Sequence, residues 1–136
     1  MRYLFFVILC ISFFPVFAQT DGDTKVVLVN DLSGDENYLK AGEVLNDLGY
    51  RVRRSDPIFK SIESGVIEFK GKKRGTYKQI MLFAIIDGQV TITSWYKRRG
   101  KGKDIATFES GDNVEIAFGN MTKVAKSIGG EVSYSQ

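Results

Sequence analysis

Two clusters of cations are the residues best equipped to do chemistry in this chain. Lys70, Lys72, Lys73, Arg74 and Lys78 surround one connection, and Lys97, Arg98, Arg99, Lys101 and Lys103 crowd another, with Tyr77, Trp95 and Tyr96 flanking both. Cations beside aromatic planes can hold a polyanion, because each phosphate or sulfate they neutralise releases counterions and an aromatic face can stack on a ring. Lysines and glycines also describe solvated hairpin tips and protected sheet edges, so both readings stand at this level. No nucleic-acid-binding signature accompanies the cations.

The remaining chemical inventory is defined by what is missing. The chain has no histidine, and its one cysteine is Cys10. A Ser-His-Asp triad, a Cys/His zinc site and the usual neutral-pH general base all need residue types that are absent. Carboxylate-only catalysis and oxygen-ligand metal sites are what is left. The acids at Asp31, Asp35 and Glu36, and at Glu109, Asp112 and Glu115, read as favourable charges at helix N-termini rather than as a catalytic pair. Asp21-Gly22-Asp23 lacks the further oxygen ligands of a calcium loop. No catalytic residue, metal or cofactor is therefore assigned. Asn120-Met121-Thr122 matches a glycosylation sequon, but Met121 belongs to an apolar helical stripe, which marks a chance match.

The first eighteen residues have the form of a secretory signal. Arg2 supplies a positive start, Tyr3 to Phe14 an uncharged apolar run, and Val16-Phe17-Ala18 before Gln19 the small residues of a cleavage site. Pro15 and the polar Gln19-Thr20-Asp21 end the run short of the roughly 20 residues that span a bilayer. Cys10 follows Leu9 rather than a small residue and reads as part of the apolar stretch, not as a lipidation site. The expectation is a signal peptide over 1–18 and a single domain over 19–136, periplasmic or secreted after cleavage near Ala18. Cleavage removes Arg2 and Cys10, leaving no thiol and eighteen basic against sixteen acidic side chains, formally +2. That near-neutral balance selects no partner, and 118 residues are one ordinary domain.

The elements that must position the cations follow from periodicity and turn chemistry. Lys25 to Val29 reads as a first strand. Ser33 with Glu36 forms a capping box opening a helix with Tyr38, Ala41, Leu45 and Leu48 on one face, stopped by Gly49. Tyr50 to Arg54 predicts a second strand, and Asp56-Pro57 an N-cap and first turn of a short helix ending near Gly65. Val66 to Lys70 alternates as a strand. Gln79 to Ile86 and Gln89 to Tyr96 flank Asp87-Gly88, the strongest short-range hairpin signal. Asp104 to Phe108 adds a strand, and a helix capped by Asp112 carries Val114, Ala117, Met121, Val124, Ala125 and Ile128. Gly129-Gly130 ends it, before an edge strand over Val132 to Ser135. The pattern predicts an α+β domain, an antiparallel meander sheet with two main helices packed on one face.

If Asp87 and Gly88 form a two-residue turn, Ile86 pairs with Gln89 and the register is fixed outward from there. Met81, Phe83, Ile85, Val90 and Ile92 then fall on the helix-covered face. The opposite face holds Ile80, Leu82, Ala84 and Ile86 beside Thr91, Thr93 and Trp95, with Ile80 opposite Trp95. A solvated face should be polar, so Ile80, Leu82, Ile86 and Trp95 point either to cover from elsewhere in the chain, such as 56–64, or to a partner or ligand surface. The same turn sends both cation-rich connections to the far end of the hairpin.

This order of elements, with Gly65-Val66-Ile67-Glu68-Phe69-Lys70, Ile85-Ile86-Asp87-Gly88-Gln89-Val90 and the closing Gly130-Glu131-Val132-Ser133-Tyr134-Ser135, resembles small secreted bacterial domains of unknown function with a TBP-like or helix-grip fold. The resemblance implies the fold and carries no activity. The expected function is a non-catalytic exported binding or adaptor module of the envelope. A polyanion-binding accessory protein for anionic lipid, lipopolysaccharide or acidic glycan is a second class, and a carboxylate-based hydrolase a third. Candidate partners are a protein or envelope component, an anionic glycan or lipid, and a second copy of the chain. Export argues against nucleic acid.

Overall fold

The computed structural model describes residues 23–71, 75–98, 103–105 and 114–136, with the backbone alone at 98, 103–105 and 114. The expected signal peptide, Lys72, Lys73, Arg74, Arg99, Lys101 and the Asp112 cap lie outside the described residues. Among the described residues ten elements follow in order: β1 (Lys25–Val29), α1 (Gly34–Asp47), β2 (Val52–Asp56), β3 (Ser61–Ser64), β4 (Ile67–Lys70), β5 (Thr76–Ile86), β6 (Gln89–Arg98), β7 (Lys103–Ile105), α2 (Val114–Ile128) and β8 (Glu131–Ser135). The strands form one antiparallel sheet in the order β2-β3-β5-β6-β1-β8, with β4 beside β5 and β7 beside β6. The predicted α+β class, with an antiparallel sheet and two helices, is what the chain adopts.

The β5–β6 hairpin is the axis of the molecule. Its register is the one that a two-residue Asp87-Gly88 turn imposes, with Ile86 opposite Gln89, Leu82 opposite Thr93 and Ile80 opposite Trp95. Gly88 takes φ +72 while Asp87 does not take a positive φ, the pattern of a type II turn, which favours glycine at its second central position. The turn is also tied down from outside. Asp87 Oδ1 accepts the Gly34 amide at 2.6 Å, so its charge sits at the start of α1 where the helix dipole favours it. The Gly88 amide donates to the Leu32 carbonyl at 2.8 Å, and Asn30 donates to that of Gly88 at 3.0 Å.

The first helix begins as expected, with both bonds of the capping box between Ser33 and Glu36 present. Ala41, Val44 and Leu45 of α1 and Ala117, Phe118, Met121, Val124, Ala125 and Ile128 of α2 are buried against Val26, Leu28, Met81, Phe83, Ile85, Val90 and Ile92 of the sheet. Phe118, absent from the expected stripe, is the largest fully buried side chain among the described residues. Thr122 and Met121 are both buried, which agrees with reading the sequon as chance.

The short helix expected after Asp56-Pro57 is a strand instead. Asp56 Oδ1 does accept the amides of Ile58 and Phe59, at 2.9 and 3.0 Å. That is cap chemistry, but it closes a single turn, and Lys60 at φ +50 reverses the chain into β3. Pairing decides the matter: Ser61 to Ser64 bonds β2 on one side and β5 on the other. Ile62 enters the core and the Ser64 hydroxyl accepts the Met81 amide at 2.8 Å. So 56–64 widens the sheet and does not cover it.

Candidate functional site

Alternation along β5 separates two environments. Tyr77, Gln79, Met81, Phe83 and Ile85 are buried on the helix side, whereas Thr76, Lys78, Ala84 and Ile86 are exposed and Ile80 and Leu82 half-buried on the other. No described helix packs on that second face. Ile80, Leu82 and Trp95, side by side in the ladder, floor a hollow of about 510 Å³ there. Val66 closes one side of it, and Arg53, Glu63, Lys78 and Lys97 stand at its margins. Trp95 is 44 % exposed. Ile86, grouped with these residues by sequence parity, is 60 % exposed but sits at the turn end, three rows away from Ile80, and does not line the hollow.

The expected aromatic cluster divides between the two faces. Tyr77 is buried on the helix side, its ring stacked on Phe69 at 5.4 Å, and Tyr96 approaches Tyr77 at 6.3 Å. A ring held this way offers no platform at the open face, so Tyr77 is corrected from a contact residue to a packing residue. Tyr96 touches the hollow's edge but packs with the core. Trp95 alone of the three lies on the open face.

Pairing also locates the cations. Lys70 pairs with Thr76, Tyr77 with Arg98, and Lys97 with Lys103, so the strand ends bearing both cation-rich connections lie together, opposite Asp87-Gly88. The registers combine into one row across four strands: Glu68, Lys78, Lys97 and Lys103. Lys78 meets Glu68 at 3.5 Å, with both side chains 61 % exposed. A pair that exposed is worth about 1 kcal/mol or less. At the other margin Arg53 meets Glu63 at 3.2 Å. Directly toward the turn from the lysine row lies the row of Ile80, Trp95 and Ile105.

One polar feature went unforeseen. Gln79, fully buried, donates through Nε2 to the Ala117 carbonyl at 2.7 Å and to Ser94 Oγ at 3.0 Å, while its Oε1 accepts from Asn120 at 3.0 Å. Its place among Met81, Phe83 and Ile85 in alternation is the signal that marks it as inward. With every polar atom engaged, it locks α2 to the sheet. Among the described residues no three acids gather as metal ligands would, and no helix is long and apolar enough to cross a membrane. Burial raises the Tyr50 phenol above its ordinary value, and the Ser33 amide lowers the Glu36 carboxyl, yet neither borders the hollow.

No protein family's sequence profile matches the chain, and no curated protein matches it. A crystal structure of a DUF4468 family protein from Bacteroides ovatus is similar in fold, with a TM-score of 0.50 at 13 % identity, over 85 % of this chain and 91 % of that one. The likeness is to a bacterial domain family of unknown function, and at that identity it extends to the fold alone.

Proposed function

We propose that the protein is a non-catalytic exported binding module of the bacterial envelope, and that the open sheet face is its contact surface. The observation that carries this reading is the hollow floored by Ile80, Leu82 and Trp95 on a face that no described element covers. Burying a large aliphatic side chain is worth about 1.5 to 3 kcal/mol, so a contact that completed the burial of the half-buried Ile80 and Leu82 and of the more exposed Trp95 would gain part of that energy. Export rests on the form of residues 1–18, and the non-catalytic assignment on the missing histidine and thiol chemistry.

The double variant I80T/L82T tests the surface without knowledge of the ligand, because threonine keeps strand propensity while removing the apolar floor. The expected result is a melting temperature within about 4 °C of wild type, which for a domain of this size corresponds to about 1 kcal/mol or less. A loss of more than about 2 kcal/mol would make these side chains structural and end the reading. Hydrolysis of a panel of glycan, ester or peptide substrates by the purified domain would remove the non-catalytic assignment. A cytoplasmic protein that retains residues 1–18 would remove export.

A further inference from the structure

We infer that the hollow takes one monomeric amphiphilic anion, its apolar body over Ile80, Leu82 and Trp95 and its head group on the lysine row at Lys78 and Lys97. This rests on the reading of the open face as a binding surface and adds the ligand class to it.

The charge pattern makes the argument. Like charges directly opposite on neighbouring strands destabilise a sheet, yet Lys78 pairs with Lys97 across β5 and β6, and the register places position 103 next in the same row. Glu68 lies at one end of the row, beside Lys78 only. An anion seated on the row would relieve that repulsion. Same-face rows are about 7 Å apart along a strand, so the next two rows toward the turn bring Ile80 with Trp95, and then Leu82 with Thr93, under whatever follows the head group. The sequence of surfaces is cationic, then aromatic and aliphatic, which is the order of a head group and a hydrocarbon body. A hollow of about 510 Å³ has the size of a small-molecule site. An extended polyanion would find apolar surface one row away from the lysines, so a single anionic head fits the pattern better.

Trp95 is the only tryptophan in the chain, so its emission reports on the hollow directly. The domain from residue 19 is titrated with dodecanoate below its micelle concentration, alongside dodecyl maltoside as the uncharged amphiphile, acetate as the head group alone, and phosphatidylglycerol vesicles. The expected result is a saturable shift with dodecanoate, affinity about tenfold weaker for the maltoside, and no response to acetate. K78S/K97S should weaken dodecanoate by about tenfold and leave the maltoside unchanged. L82E should abolish both responses. Equal affinity for dodecanoate and maltoside, a response to vesicles without one to monomer, or no saturable response would each overturn the ligand class. None of those results touches the stability of I80T/L82T, on which the surface reading itself stands or falls.

Discussion

Lys78 and Gln79, and then Met81 and Leu82, are neighbours along one strand that live under different rules. On the helix side Gln79 is fully buried with three hydrogen bonds and Met81 is sealed beneath the helices. On the open side Lys78 is mostly in water, opposite another lysine, and Leu82 borders a hollow. The inner face satisfies each described buried polar side-chain atom and fills its volume with side chains from both helices. The outer face tolerates a like-charge row and unfilled apolar space. A sheet whose two faces share every backbone bond cannot differ this way through the strand itself. The difference lies in what each face contacts: two helices pack on the inner face, and no described helix packs on the outer one.

The largest expected contrast comes from truncating adjacent apolar residues. Met81→Ala leaves a cavity in a packed interior and should cost about 2 to 5 kcal/mol. Leu82→Ala removes a half-buried side chain beside an existing hollow and should cost about 1 kcal/mol or less. Chemical denaturation of the two variants measures the gap, and equal costs would erase the distinction between the faces. The polar neighbours give the next contrast. Gln79→Leu strands Asn120, Ser94 and the Ala117 carbonyl without their shared partner, a loss of about 1 to 3 kcal/mol. Lys78→Gln breaks an exposed pair while relieving the repulsion at Lys97, so its net effect should stay within about 0.5 kcal/mol.

Which of these features the sequence disclosed depends on how local their cause is. Asp87-Gly88 sets the register of ten residue pairs through two dihedral-constrained positions, and the capping box at Ser33 needs only three residues, so both were readable. Asp56-Pro57 was readable as cap chemistry and misleading as structure, because an aspartate accepting two amides looks alike in a helix start and a hairpin turn; the bonds of Ser61 to Ser64 to β5, some twenty residues away, decide between them. The register alone separates Tyr77 from Trp95, since one faces the helices and the other does not, but nearness to the cations had grouped them. The lysine row needed three pairings at once, including the start of β7 at Lys103, and no single hairpin supplies that. The side of the sheet left open depends on where α1 and α2 settle, a tertiary fact that periodicity in either helix does not contain.

The smallest effect separates the faces by pH. Glu36 closes the capping box of α1, the helix that helps cover the inner face, and the Ser33 amide and hydroxyl hold its carboxyl below the ordinary 4.5. A carboxyl whose folded pKa is depressed contributes stability above its unfolded value and loses it as pH falls through the folded one. The stability gap between wild type and Glu36→Ala should therefore be full near neutrality, begin to narrow below pH 4.5, and close in stronger acid. Leu82→Ala removes no hydrogen bond or ion pair, although Glu63 stands opposite it, and its offset from wild type should change far less than that of Glu36→Ala over the same range. Denaturation midpoints of the three proteins between neutrality and pH 3 would show it, and a Leu82→Ala offset that followed pH as Glu36→Ala does would mean that the two faces are energetically coupled rather than separate.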